Sequence, residues 1–214
     1  MRRPASKRIY RLIHVECLES YLRRDRLHAP NHAPAAGLAY RPIHREDIQS
    51  ARQSRSIPCG PGGAFLDYVP FYFCYRSVML YQLHTGGVPG YTQGQVPLIH
   101  LVSTVERVAA SGARFVFSDG QGIAAMTQWY DDLKDLNQID WNVIRSRYWK
   151  DTPDHQDRQR RKQAEFLVHH SLPWDWIIGI GVVTDETLER VEALFDLVEP
   201  AHRPPVQVMP DWYY

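Results

Sequence analysis

Residues 158–169, Arg-Gln-Arg-Arg-Lys-Gln-Ala-Glu-Phe-Leu-Val-His, set a carboxylate, Glu165, at the point where a run of cations gives way to strand-like sequence. A glutamate there can serve as a general base, or sit against positive charge that develops in a reacting molecule. Glutamate on a strand more commonly lies on a solvated face, and a cationic run more commonly forms a solvated loop. Together they suggest a carboxylate beside a polyanion site: Arg158, Arg160, Arg161 and Lys162 could grip phosphates while Tyr148 or Trp149 offers a stacking face to a base. Two further arginines, Arg52 and Arg55, lie three apart on a helical pattern, and a guanidinium holds phosphate oxygens in a planar fork. The spacing does not choose between them. His14, at the end of a first strand, can face a cleft or hydrogen-bond inside a core.

Other chemistries lack their signatures. No P-loop, strand-following GxGxxG, HExxH or nucleophile elbow occurs. Ten histidines and three scattered cysteines, Cys17, Cys59 and Cys74, include no pair spaced as metal ligands, and no metal is expected. The cysteines form no disulfide framework, which fits a reducing cytoplasm. Met1 to Arg8 carries the charge of a signal peptide, but the following Ile9 to His14 is too short and polar for its apolar region. Nothing approaches ~18 consecutive apolar residues, so no membrane span is expected. Formal net charge is +1, so contact with a polyanion must come from local clusters.

The elements that must position these residues alternate and are short. With 214 residues, 44% of them hydrophobic, one domain spanning residues 1–214 can bury its own core. Ile9 to Val15 reads as a strand and Glu16 to Arg24 as a helix. His28 to Pro42 reads as an irregular connection, Ile43 to Ser54 as a helix, and Pro58 to Gly63 as a loop. Leu66 to Arg76 is a strand in which Pro70 limits pairing on one side, and Ser77 caps a helix through Leu83. Gly86 to Gly94 is a glycine-rich loop. Strands follow at Val96 to Val102 and Arg114 to Phe117, around a helix from Val105 to Ala110. Asp131 to Trp149 is helix and turn, and Ala164 to His169 is a strand entered from a basic loop. Ile177 to Val183 is a buried strand, Asp185 to Val198 an amphipathic helix, and Pro204 to Met209 an edge strand. Short alternations of this kind are typical of a mixed fold.

Several segments stand out in order: Arg8-Ile-Tyr-Arg-Leu-Ile-His-Val15, Ile48-Gln-Ser-Ala-Arg-Gln-Ser-Arg55 and Leu66-Asp-Tyr-Val-Pro-Phe-Tyr-Phe-Cys-Tyr-Arg-Ser-Val-Met-Leu-Tyr81. Phe115-Val-Phe-Ser-Asp-Gly120, Asp140-Trp-Asn-Val-Ile144 and Arg160-Arg-Lys-Gln-Ala-Glu-Phe-Leu-Val-His169 follow. Over residues 8 to 185 this series resembles the DarT family, bacterial toxins that ADP-ribosylate DNA and are neutralised by a macrodomain antitoxin of the DarG type. The resemblance implies the α+β ADP-ribosyltransferase fold, with mixed central sheets around an NAD⁺ cleft and flanking helices. It also implies transfer of ADP-ribose from NAD⁺ to a base of single-stranded DNA, thymidine ahead of guanosine. By the same resemblance His14 anchors NAD⁺, Arg52 is the catalytic arginine and a cofactor contact, Tyr72 and Met79 line the cofactor pocket, and Glu165 is the catalytic glutamate. The family commonly has Ala-Pro-Arg-Ser-Pro where this chain has Cys74-Tyr-Arg-Ser-Val78.

The chemistry agrees with these roles. Cleaving the nicotinamide–ribose bond develops oxocarbenium character at the sugar, which a carboxylate stabilises. A base N–H becomes a nucleophile when a carboxylate takes its proton. A single strand is the expected substrate, because a paired base hides its Watson–Crick edge and flipping costs a few kcal/mol. Two other readings differ in substrate or in class: ADP-ribosylation of RNA or protein, and a catalytically inactive nucleic-acid-binding module, in which Glu165 and Arg52 have no purpose.

Overall fold

The computed structural model describes residues 6–35, 41, 43 and 46–214. Of the expectations above, the start of the Met1 to Arg8 segment and much of the His28 to Pro42 connection lie outside the described residues. Among the described residues ten strands form: β1 (Arg8–His14), β2 (Arg26–His28), β3 (Tyr68–Tyr72), β4 (Leu98–Thr104), β5 (Phe115–Ser118), β6 (Trp129–Tyr130), β7 (Glu165–His169), β8 (Ser171–Pro173), β9 (Gly179–Val182) and β10 (Val206–Val208). Eight make one mixed sheet in the order β10-β9-β4-β1-β3-β7-β5-β6, and β2 with β8 makes a small antiparallel pair. The described residues also include the helices α1 (Leu18–Arg24), α2 (Glu46–Gln53), α3 (Val78–His84), α4 (Val105–Ala110), α5 (Trp141–Arg145), α6 (Arg158–Arg161) and α7 (Asp185–Val198).

Alternation along the strands divides the core. Ile9, Ile13, Val69, Phe71, Ile99, Leu101, Phe166 and Val168 bury one face of the large sheet under α1, α4 and α7. The opposite face carries two separate clusters. Tyr10, Leu12, Leu98 and Val102 pack with Leu80 and Leu83 of α3, whereas Tyr68, Val116 and Leu167 pack with Ile57 and Phe65. Tyr72 and Glu165 fall on this second face by the period of two, between those clusters.

The sheet is nearly split where they sit. β1 and β4 pair along seven residues, and β3 and β7 along five, but β1 meets β3 only at Tyr10↔Tyr72. Pro70 has no N–H to give that ladder, as its place in the sequence predicted, and the Arg11 guanidinium instead donates to the Pro70 carbonyl at 3.0 Å. The gap is the floor of a cleft.

Several boundaries agree with the sequence reading. α4 and α7 coincide with it, Ser77 accepts from Leu80 N–H to cap α3, and β10 is the edge strand. Three features differ. The strand expected from Leu66 to Arg76 is confined to Tyr68–Tyr72, and residues 73–76 bend away from it toward α3. The cationic run is not a loop but α6, a single turn entered through Asp157 in the left-handed conformation at φ 63°. The short strands β2, β6 and β8 were not apparent, because two or three residues are too few for a periodic signal.

Candidate active site

A cavity of about 350 Å³ opens over the gap, bounded by Tyr72, α2, α3, the 119–123 turn and the segment leading into β7. Its apolar wall is Ile48, Val78, Met79, Val88 and Ile123, and its polar lining includes Arg52, Gln49, Gln82, Gln121, Gln163 and Glu165. A smaller space of about 100 Å³ continues beneath α2 between β1 and β3, where Arg11, Arg52, Pro70 and Met79 meet.

Glu165 is 1% exposed and held at both oxygens. Arg52 donates to Oε2 through Nη2, and the Gly122 backbone N–H donates to Oε1 at 3.2 Å. Its own N–H goes to Ser118 Oγ, which in turn donates to the Gly120 carbonyl at 2.7 Å. The Phe115-Val-Phe-Ser-Asp-Gly120 segment therefore holds the Glu165 backbone through Ser118, and the turn that continues it holds the side chain through Gly122. Glycine is needed at 122, since a Cβ there would lie 2.6 Å from the Phe65 ring and 3.0 Å from that of Trp129. Burial works against the charge on Arg52, but the adjoining Glu165 carboxylate outweighs it, and the guanidinium is held above its ordinary value. Burial, with the same carboxylate adding, pushes the Tyr72 phenol up to about 12, so it stays neutral. Tyr72 and Glu165 are direct cross-strand partners.

Geometry separates the two arginines that spacing could not. α2 ends at Gln53, so Arg55 does not continue the face of Arg52; it is exposed while Arg52 enters the cavity. Met79 reaches the same cavity from α3. His14 lies apart from this lining, buried at the end of β1. Its Nε2 bonds Gln93 at 2.9 Å and its Nδ1 accepts from Glu16 N–H at 3.2 Å, and burial pulls its basicity below the ordinary value.

The cationic run is tied inward. Arg160 bonds Asp157 and Asp119, the latter at 2.7 Å, and also Thr127, which clamps α6 to the 119–128 turn. Arg161 pairs with Asp140 and Asp157, and Arg158 donates to the Lys150 carbonyl. Lys162, read from sequence as part of the phosphate grip, is buried at 2% exposure. Its ammonium donates to the carbonyls of Val143, Ile144 and Ser146 and lies 4.9 Å from the Trp149 ring centre. Trp149 is half-buried, whereas Tyr148 stands 75% exposed.

Sequence reasoning did not single out Gln121, Gly122, Gln163 or Ser118. Ser118 lies inside the Phe115 to Gly120 segment and Gln163 inside the Arg160 to His169 segment, but spacing marks neither of them nor the Gln121-Gly122 turn. Among the described residues no cluster of three or more His, Cys, Asp or Glu is placed to hold a metal, and no helix is long and apolar enough to cross a membrane.

Comparison with known proteins gives this geometry a context. The family described as "ssDNA thymidine ADP-ribosyltransferase, DarT" matches residues 10–214. The chain belongs to the DarT family. A DNA ADP-ribosyl transferase of Thermus sp. (strain 2.9) is 38% identical over 211 residues, covering 99% of this chain and 98% of its own length. Two solved structures of Thermus sp. 2.9 DarT superimpose closely. One, in complex with ADP-ribosylated ssDNA, has a TM-score of 0.92 at 38% identity and full coverage of both chains. The other, in complex with NAD⁺, has a TM-score of 0.88 at 37% identity with 99% of each chain covered. The mixed sheet with flanking helices is thus the ADP-ribosyltransferase fold of DarT, the α+β class that the resemblance implied.

Proposed function

We propose that this chain transfers ADP-ribose from NAD⁺ to thymidine in single-stranded DNA and releases nicotinamide. The observation that carries the proposal is the joining of Arg52 and Glu165 in one cavity whose donor set fits a dinucleotide. Arg52 supplies a cation for pyrophosphate, Tyr72 and Met79 a flat apolar wall for a ring, and Glu165 a carboxylate for a ribose hydroxyl. The Thermus sp. 2.9 DarT structures, one in complex with NAD⁺ and one in complex with ADP-ribosylated ssDNA, support the same assignment.

In this reading the bond from the ribose C1′ to nicotinamide breaks with its electron pair leaving on nicotinamide, and a bond from C1′ to the base nitrogen forms. Glu165 stabilises positive charge at the sugar through the ribose hydroxyl and takes the proton displaced from the base. Arg52 and the Gly122 N–H hold that carboxylate in one orientation beforehand, so no reorganisation is needed during the reaction. His14 can reach a ligand by exchanging its bond to Gln93 for one to a ligand amide or hydroxyl. Arg158 and Arg161 of α6 and the exposed Tyr148 are the groups offered to the strand, while Arg160 is held by Asp119 and Asp157 and Trp149 lies against Lys162. A macrodomain antitoxin of the DarG type is the proposed protein partner, and the cytoplasm the proposed compartment.

Labelled NAD⁺ incubated with single-stranded DNA, its duplex, RNA and protein tests the reading. Label is expected on the single strand alone and on oligonucleotides that contain thymidine. Glu165→Gln should lower that labelling by ~10² or more while NAD⁺ still binds. Label on an all-guanine strand, on RNA or on protein in preference would overturn it, as would a variant retaining over about a tenth of the rate.

A further inference from the structure

The segment that joins β3 to α3 has a second cavity on its other side. Tyr72, Val78 and Met79 face the catalytic cavity, while residues 73–76 line a separate space of about 320 Å³. Five cations surround that space, Lys7, Arg8, Arg76, Arg145 and Arg147, against the single carboxylate of Asp211. Among the described residues none of the five is ion-paired, in contrast to Arg160 and Arg161, whose charges are met by Asp119, Asp140 and Asp157. The Arg76 Nε is buried without a hydrogen-bond partner. Aromatic rings of Tyr75, stacked on Trp212, and Trp141, with the Lys7 ammonium 4.2 Å from its centre, share the wall, and the exposed Tyr148 follows Arg147 in the chain.

We propose that this cavity holds the phosphodiester and base of a nucleotide flanking the modified thymidine, and that it, more than α6, grips the DNA strand. The proposal rests on the reading of the chain as an enzyme of single-stranded DNA. Unneutralised cations around flat rings match a single strand, which offers phosphates and unstacked bases together. The shared wall puts the cavity next to the reacting base, at the distance of neighbouring residues on one short segment. Lys162 has a part in the same device. Standing three residues before Glu165 in the chain, its ammonium gathers the carbonyls at the end of α5, and so sets the direction in which the chain carries Arg145 and Arg147 away from the helix. It is a positioning residue that links the catalytic strand to the groove.

Arg145 and Arg147 are exposed, so replacing both leaves packing intact. Binding of a labelled thymidine-containing single strand to the full chain, measured by fluorescence anisotropy without NAD⁺ over a range of salt, reads the groove directly. Arg145→Gln/Arg147→Gln is expected to weaken binding about tenfold at ~0.1 M salt and to reduce the salt slope by roughly 1.4, at ~0.7 per phosphate contact on a single strand. NAD⁺ binding should match that of the unaltered chain. Arg23→Gln/Arg203→Gln removes equal charge from surface ion pairs elsewhere, and should keep the original affinity and slope. A change below about twofold in the first variant, or an equal loss in the second, overturns the proposal. So does a loss confined to an RNA strand or to a purified macrodomain, which would make the cavity an RNA or protein surface. Because binding is read without the reaction, an unaltered chain that binds the strand but modifies no DNA refutes the functional reading and not this one.

Discussion

Arg52 and Glu165 depend on each other in a way that neither a contact count nor a motif conveys. Both are taken out of water, and a buried pair contributes little over an apolar one; the large cost falls when a single partner is removed. Arg52→Ala strands the Glu165 carboxylate with only the Gly122 N–H, and should lower stability by about 3–5 kcal/mol in urea unfolding. Arg55→Ala touches an exposed side chain outside α2, and should fall within ~0.5 kcal/mol of the parent. Adding Glu165→Gln to Arg52→Ala should recover much of the lost stability without recovering transfer activity. Equal damage from Arg52→Ala and Arg55→Ala would remove Arg52 from the site.

At the scale of elements, the short helix α5 is unusual in having its C-terminal carbonyls met by a lysine from a distant segment. The last carbonyls of any helix lack intrahelical partners, and buried ones must be satisfied elsewhere. Burial pulls the basicity of Lys162 below the ordinary value, yet three carbonyl acceptors and the Trp149 ring surround its ammonium. Lys162→Met should therefore cost about 1–3 kcal/mol of stability. A purely structural role ends there. If the lysine also sets the course of Arg145 and Arg147, the folded variant will show a raised KM for oligonucleotide and a shallower salt dependence, with KM for NAD⁺ unchanged; an unaltered salt slope would confine Lys162 to stability.

Across the whole molecule, buried neutral histidines tie stability to pH. Burial lowers His14 and takes His100 to about 4, while the half-buried His169 is taken to about 4 by burial with His170 and Arg114 adding. His100 is 1% exposed, with Nε2 bonded to the Tyr75 carbonyl and Nδ1 unpartnered. A histidine whose folded value lies below its unfolded ~6.5 binds fewer protons folded than unfolded between those limits. Its contribution is complete above pH ~6.5, and is lost as pH falls toward the folded value. His100 alone should account for roughly 2 kcal/mol between pH 7.5 and 5. Denaturant midpoints at the two pH values measure the loss, and His100→Gln should shrink it; a midpoint independent of pH would show that these rings are not held neutral.

Local pattern was enough for much of this architecture. The 14-residue amphipathic run of α7, the Ser77 cap and the alternation along β1, β3 and β7 are properties of neighbouring residues, and neighbours suffice to express them. Pro70 even marked where the sheet would part, because a missing N–H is covalent. Resemblance to DarT named Glu165, Arg52, Tyr72 and Met79, which the fold gathers around one cavity. What spacing could not decide was anything that hangs on residues far apart in the chain. Arg52 and Arg55 differ in their relation to Glu165, more than a hundred residues away, and not in their surroundings along the chain. Four adjacent cations at 158, 160, 161 and 162 look alike in sequence, yet Asp119, Asp140 and Asp157 neutralise two of them and the end of α5 encloses a third. Cations from residues 7, 8, 76, 145 and 147 form no motif at all, and become one surface only when β1, β3 and α5 converge. Charge acts through space with a reach of about 10 Å, so its partners are assigned by tertiary packing rather than by order along the chain.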